Sequence, residues 1–146
     1  MQVDFYHLAA APIERVLPRI AEKVLADGGR LLVVGTDEAL LGRLDIALWS
    51  YAADSFLPHG RAGLEGEDAQ PVLLSSEPRA ANGARYVALV DGTWRQEALT
   101  FDRAFHFFDD TSLGEARTTW KALADHVGVE RRFWKQDEAG RWARQA

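Results

Sequence analysis

The seven residues "RLLVVGT" at positions 30–36 constrain the fold more than any other stretch of the chain. An apolar run without polar alternation suits a strand buried on both faces, and such strands belong to parallel sheets covered by helices on both sides. A strand of this kind needs neighbours like itself, and the chain supplies them. "VDFYHL" opens the sequence as a short β-rich run, and "PVLLSS", "ARYVALVDG" and "AFHFFDD" follow as third, fourth and fifth strands. Between the first two lies a helix. Ile13, Val16, Leu17, Ile20, Val24 and Leu25 recur at helical spacing, Pro12 suits the first turn, and Gly28-Gly29 ends it. Pro18 falls inside that pattern and should kink the helix or remove a hydrogen bond. After the second strand, Thr36 is expected to cap a helix running to about Leu48, with Asp37 and Glu38 at its positive end. Residues 60–70, Gly-rich and acidic, read as a loop. Ser112 is expected to cap a last helix reaching about Val127, with Glu115 completing a capping box. Residues 129–146 are charged and aromatic, and their pattern assigns them no element. Strands alternating with helices predict an open α/β sheet, in a single domain spanning 1–146.

Composition narrows the function classes. The chain has 146 residues, 47% of them apolar and 27% charged, as in ordinary globular proteins. No run of about 18 apolar residues exists, so no membrane span is expected. The start "MQVDFYHLAA" lacks the basic and long apolar regions of a secretory signal. There is no Cys, which removes disulfides, thiolate chemistry and Cys-ligated zinc and fits a cytoplasmic location. The net charge of −5 is unevenly spread: residues 1–110 hold 10 Lys/Arg against 17 Asp/Glu, and residues 111–146 hold 7 against 5. An acidic body disfavours direct binding to nucleic acid. The basic end suits a small acidic partner.

The motifs of catalysis are missing. Open α/β sheets place ligands beyond the carboxyl ends of their strands. The turn after the second strand, "VVGTDEAL", has one Gly and neither a dinucleotide fingerprint nor a Walker lysine. No Gly-x-Ser-x-Gly elbow occurs. His7, His59, His106 and His126 form no metal-ligand spacing, and His7 and His106 fall in strands, where structural histidines are common. Asp54, Ser55 and His59 are close in sequence, but no oxyanion site accompanies them. A small-molecule or nucleotide-binding α/β enzyme therefore remains only as the alternative to a binding protein.

Two aromatic segments are better candidates. Winding residues 40–51 at about 100° per residue places Leu40, Leu41, Leu44, Leu48 and Tyr51 on one stripe. On the same wheel Trp49 falls about 180° and Ile46 about 240° from Leu40, outside that stripe. Either another element covers them, or they form an exposed apolar patch with Phe56 and Pro58, of the kind that anchors an interface. On the last helix Arg117 and Lys121, four residues apart, share a face beside Trp120. They suit an acidic peptide ending in an aromatic residue and its carboxylate. The competing reading makes Leu113, Ala116, Trp120, Leu123 and Val127 a core stripe, with the two cations as a solvated border.

The stretch "RLDIALWSYAADSFLPHG" followed by "PVLLSS" resembles the chi subunit of bacterial DNA polymerase III. "VDFYHL", the "FD…AF" near Phe101–Phe105, and Arg117 to Lys121 read as Arg-x-x-aromatic-Lys fit as well; at position 120 Trp stands where Tyr is also familiar. The resemblance covers essentially the whole chain, and its Leu-Trp to Pro-His block is the specific part. It implies a Rossmann-like open, mostly parallel sheet that binds no dinucleotide, and a non-enzymatic accessory protein without cofactor or metal. It also implies an adaptor that links the clamp-loader complex, through the psi subunit, to the single-stranded-DNA-binding protein. Carried onto this chain, the psi contact falls on Trp49 and Phe56, with Ile46 and Pro58 beside them. The contact for the acidic, Phe-ending tail falls on Arg117, Trp120 and Lys121, with Phe107 or Phe108 as a lining aromatic. Asp54, Ser55 and His59 then shape the loop, and Arg131, Arg132, Lys135 and Trp142 receive no role.

Overall fold

The computed structural model describes residues 1–51 and 57–146. Among these, eight strands form one sheet: β1 (Gln2–His7), β2 (Leu31–Val34), β3 (His59–Arg61), β4 (Val72–Ser75), β5 (Tyr86–Leu89), β6 (Arg103–Phe108), β7 (Glu130–Gln136) and β8 (Trp142–Arg144). Their order is β3-β4-β2-β5-β6-β1-β7-β8. Every pairing is parallel except that of β7 with β8. The helices are α1 (Ile13–Ala26), α2 (Glu38–Trp49) and α3 (Leu113–Ala122). The open, mostly parallel α/β sheet read from the sequence is therefore the fold.

Strand periodicity divides the core into two layers. Leu31, Val33, Phe105 and Phe107 face the layer that holds α1 and α2. Leu32, Val34, Phe5 and Phe108 face the layer that holds α3. All four residues of β2 are fully buried, as its unbroken apolar run requires. α1 runs without interruption through Pro18, which is itself buried; its ring leaves one carbonyl of the helix without its usual donor.

Several boundaries differ from the sequence reading. The residue capping α2 is Asp37, whose carboxylate accepts from the Ala39 N–H at 3.0 Å. The Thr36 N–H and hydroxyl turn instead to Asp91. The expected loop of residues 60–70 begins inside β3, a three-residue edge strand beside β4. Ser112 precedes α3 but makes no capping bond. Its hydroxyl is packed against Gly92, where a Cβ would come within 2.5 Å of it, and Gly92 also needs its φ of +76°. α3 stops at Ala122, and a 3-10 turn (Leu123–Asp125) shifts the winding, so Val127 is fully exposed and not part of the core stripe.

The C-terminal segment, to which the sequence pattern assigned no element, is built into the sheet. β7 lies beside β1 in register from Gln2↔Glu130 to His7↔Lys135. Phe133 stacks on Phe5, and Trp142 meets Tyr6 edge-on. At the end of β7 the buried Gln136 carboxamide oxygen accepts from three consecutive N–H groups, those of Ala9, Ala10 and Ala11, each at 3.1 Å. These donors lie in the turn from β1 into α1, where no helical carbonyl is available to them. Gln136→Ala should lower stability by roughly 2 kcal/mol or more, because buried donors lose their acceptor. Gln136→Glu, which keeps the oxygen, should lose much less. Thermal unfolding compares the two; equal melting temperatures for Gln136→Ala and the parent would refute this latch of Gln136 onto the Ala9–Ala11 turn.

His106 carries a second testable consequence. It is buried in β6 among Phe5, Trp94 and Phe108, and its Nδ1 has no hydrogen-bond partner among the described residues. Burial lowers its pKa from 6.5 to about 4, so the folded protein holds it neutral. Below pH 6.5 the unfolded chain binds a proton that the native state refuses, so stability present above 6.5 drains away as the pH falls toward 4. The loss at this site should reach about 3 kcal/mol. Denaturant titrations at several pH values should show a shallower acid slope for His106→Phe; an unchanged slope would exclude His106 as the source.

Candidate functional site

The cleft where an open sheet would hold a small ligand is present but poorly suited to a phosphate. A space of about 670 Å³ opens over the carboxyl ends of β1, β5 and β6. Glu14, Asp37, Asp91, Asp109 and Glu115 line it, with Arg43 the cation among them, and Arg43 is already paired with Glu14 at 3.1 Å. The N–H of Thr36, at the turn where a nucleotide would sit, is taken by the Asp91 carboxylate at 3.2 Å. Burial pushes the Asp91 carboxyl up, but hydrogen bonds from Arg95, Thr36 and Thr93 outweigh it, and the net effect keeps it ionised. A carboxylate fixed there repels phosphate. Among the described residues no group of three or more His, Cys, Asp or Glu could hold a metal ion. His7 bonds to Asp110 at 2.6 Å, and His126 is exposed. Asp54 and Ser55 lie outside the described residues.

The α2 surface has a built geometry. Leu40, Leu41, Leu44 and Leu48 are buried, while Ile46 is 67% and Trp49 57% exposed. Winding alone left the covering of Trp49 open; in the fold its helix packs inward on the leucine stripe and leaves the indole outward. Pro58 is exposed nearby in the chain, and Phe56 lies outside the described residues. His59 stands in β3 with its side chain fully buried. Its Nε2 lies 2.7 Å from the Asp45 carboxylate and its Nδ1 2.8 Å from the Leu57 carbonyl. The imidazole meets the Trp49 indole edge-on at 5.2 Å. So His59, held by Asp45 and the Leu57 carbonyl, forms a wall beneath Trp49. Asp45 is the residue that sequence reasoning missed here. Its signal is its place four residues before Trp49, which puts both on one helix face.

The α3 surface lies on the other side of the sheet. Arg117 and Lys121 are exposed, and among the described residues neither has a carboxylate partner. Trp120 is half-buried, edge-on to Phe5 at 5.3 Å and to Phe133 at 5.6 Å. It therefore belongs both to the core rim and to the surface. Phe107 is not brought to this surface. The two-residue period of β6 turns it into the α1–α2 layer, where it is fully buried, and places Phe108 in the layer shared with Trp120. Arg131, which had no role, lies on the Trp120 ring, its guanidinium carbon 4.0 Å from the centroid.

Residues 1–130 match the family described as "DNA polymerase III chi subunit, HolC". The chain is 28% identical over 113 residues to the DNA polymerase III subunit chi of Escherichia coli K12, covering 75% of this chain and 77% of that protein. It is 40% identical over 77 residues to the corresponding subunit of Pseudomonas aeruginosa, covering 50% of this chain and 52% of that one. To the probable subunit chi of Rickettsia prowazekii it is 24% identical over 92 residues, 63% of this chain and 56% of that one. The chain belongs to the DNA polymerase III chi subunit family, a family of replication accessory subunits.

Proposed function

We propose that this protein is a non-catalytic adaptor of the replicative DNA polymerase III holoenzyme. It joins the clamp-loader complex, through psi or an equivalent protein, to the C-terminal tail of the single-stranded-DNA-binding protein. It works in the cytoplasm as one domain, without a cofactor, and meets DNA only through its partners. The observation that carries this reading is the presence of two unlike surfaces on opposite faces of one sheet. One is apolar and centred on Trp49 and Ile46; the other is cationic and centred on Arg117, Trp120 and Lys121. An adaptor needs two sites that do not compete, and a sheet between them separates the partners.

The apolar site suits a protein partner. An exposed aromatic backed by a rigid wall loses little freedom on docking, which is how aromatic hot spots gain their weight. The Asp45–His59 pair supplies that wall. The cationic site suits an acidic peptide: Arg117 and Lys121 attract its carboxylates, and the indole rim takes an apolar side chain.

The double titration tests both halves. Trp49→Ala should weaken the clamp-loader-side partner by about 2 kcal/mol or more, as hot-spot aromatics do. It should leave folding within about 1 kcal/mol of the parent, whereas a buried Trp→Ala would cost about 3–5 kcal/mol. A collapse of the melting temperature in Trp49→Ala would make Trp49 a core residue and remove the site.

A peptide copying the acidic tail should bind near the micromolar range, about −8 kcal/mol. Arg117→Ala or Lys121→Glu should weaken it strongly, Trp49→Ala should not, and added salt should weaken it because the cations are exposed. Peptide binding that ignores both cation substitutions would place the tail elsewhere.

A further inference from the structure

The cation on Trp120 lies just past the stretch that matches the family, which ends at residue 130. Its placement follows from strand register. β7 pairs Arg131 with Val3 and Phe133 with Phe5, so both face the α3 layer. There Arg131 makes two contacts with one residue. Its guanidinium covers the Trp120 ring at 4.0 Å, and its Nη1 donates to the Trp120 carbonyl at 2.5 Å. Trp120 sits at the end of α3, where carbonyls lack helical donors, so the Nη1 bond answers a need of the helix end as well.

These contacts leave one edge of the guanidinium unused. Nη1 is engaged, and among the described residues neither Nε nor Nη2 of Arg131 has a hydrogen-bond partner, nor does any carboxylate pair with it. The Nε/Nη2 edge is a planar two-donor fork that matches a carboxylate. Because the ring stacking and the carbonyl bond already hold the group, little side-chain freedom is lost when a ligand arrives. Arg117 and Lys121 are exposed and, among the described residues, have no such ring and carbonyl support.

We propose that Arg131 is the third cation of the α3 surface and its carboxylate fork, preset by Trp120 to grip one carboxylate of the bound acidic peptide. This rests on the reading of that surface as the peptide site. It also changes the role of Trp120. One face of the indole is covered by the guanidinium, so the ring serves as a base for the fork as much as a platform for the ligand.

The test titrates a synthetic acidic peptide ending in phenylalanine into the full-length protein. Arg131→Ala should weaken binding about tenfold or more, as the loss of a charge-assisted pair does. It should also flatten the dependence of affinity on salt, which a purely structural change at Trp120 would not do. Arg131→Lys keeps the charge and stem but not the fork; it should preserve the salt dependence and still bind several-fold more weakly than the parent. Two further peptides locate the carboxylate. If an amidated C-terminus abolishes the difference between parent and Arg131→Ala, the fork holds the terminal carboxylate; if acidic side chains replaced by amides abolish it, the fork holds one of those. A difference that survives both peptides refutes a carboxylate contact. Parental binding by Arg131→Ala, with Arg117→Ala weakened, overturns the inference and leaves the peptide site standing. Parental binding by both variants removes the site itself. Arg131→Lys that binds like the parent overturns the fork.

Discussion

One buried carboxylate joins the central strands on which the α3 surface depends. Asp4, in the middle of β1, is fully buried. An unpaired carboxylate there would be very unfavourable. It is answered by three donors: Arg103 Nε at 2.7 Å, Gln2 Nε2 at 2.8 Å and Trp134 Nε1 at 3.1 Å. Arg103 comes from β6 and Trp134 from β7, the two neighbours of β1. The same charges reach Tyr6, whose hydroxyl is pushed up to about 12, first by burial and then by Asp4. A strand lacking these donors in β1's flanks would leave Asp4 exposed to that desolvation penalty. Pairing β1 with β6 and β7 is therefore what satisfies the buried charge.

Register then carries this constraint outward. Side chains alternate along β7, so Arg131 and Phe133 meet the α3 layer while Trp134 and Gln136 meet the α1 layer. A slip of one residue would exchange the two sets. It would take Trp134 from Asp4, Gln136 from the Ala9–Ala11 donors and Arg131 from Trp120 together. The latch into α1 and the cation on α3 are consequences of a single pairing. The apolar surface has its own smaller anchor, in which Asp45 and His59 tie the outer face of α2 to the edge strand β3.

How much of this was legible depended on whether the signal was local. The apolar runs of β2, β4 and β5, and the helical spacing of α1, appeared as read. The leucine stripe of α2 was legible too, but whether another element covers Trp49 was decided only by the fold, which leaves it 57% exposed. The α2 cap was misplaced, and Ser112 holds the expected cap position of α3 without its bond, because a cap depends on which hydroxyl has a better partner. Thr36 faces Asp91, 55 positions away, and Ser112 packs on Gly92. β3 was hidden because three residues show no periodicity. Val127 was miscounted because the 3-10 turn after Ala122 changed the winding.

The sequence by itself determined the α/β class, the family, and the residue types of the two surfaces, because each rests on short-range pattern or on contiguous motif. Tertiary structure decided which of those residues meet. Phe107 and Phe108 are adjacent in sequence, yet the pleat sends one to the α1–α2 core and the other to the layer beneath Trp120. Arg131 and Trp120 belong to different elements and come together only because β7 pairs with β1 beside α3. That pairing depends on a buried carboxylate near the N-terminus and donors about a hundred residues away or more, a distance no local pattern spans.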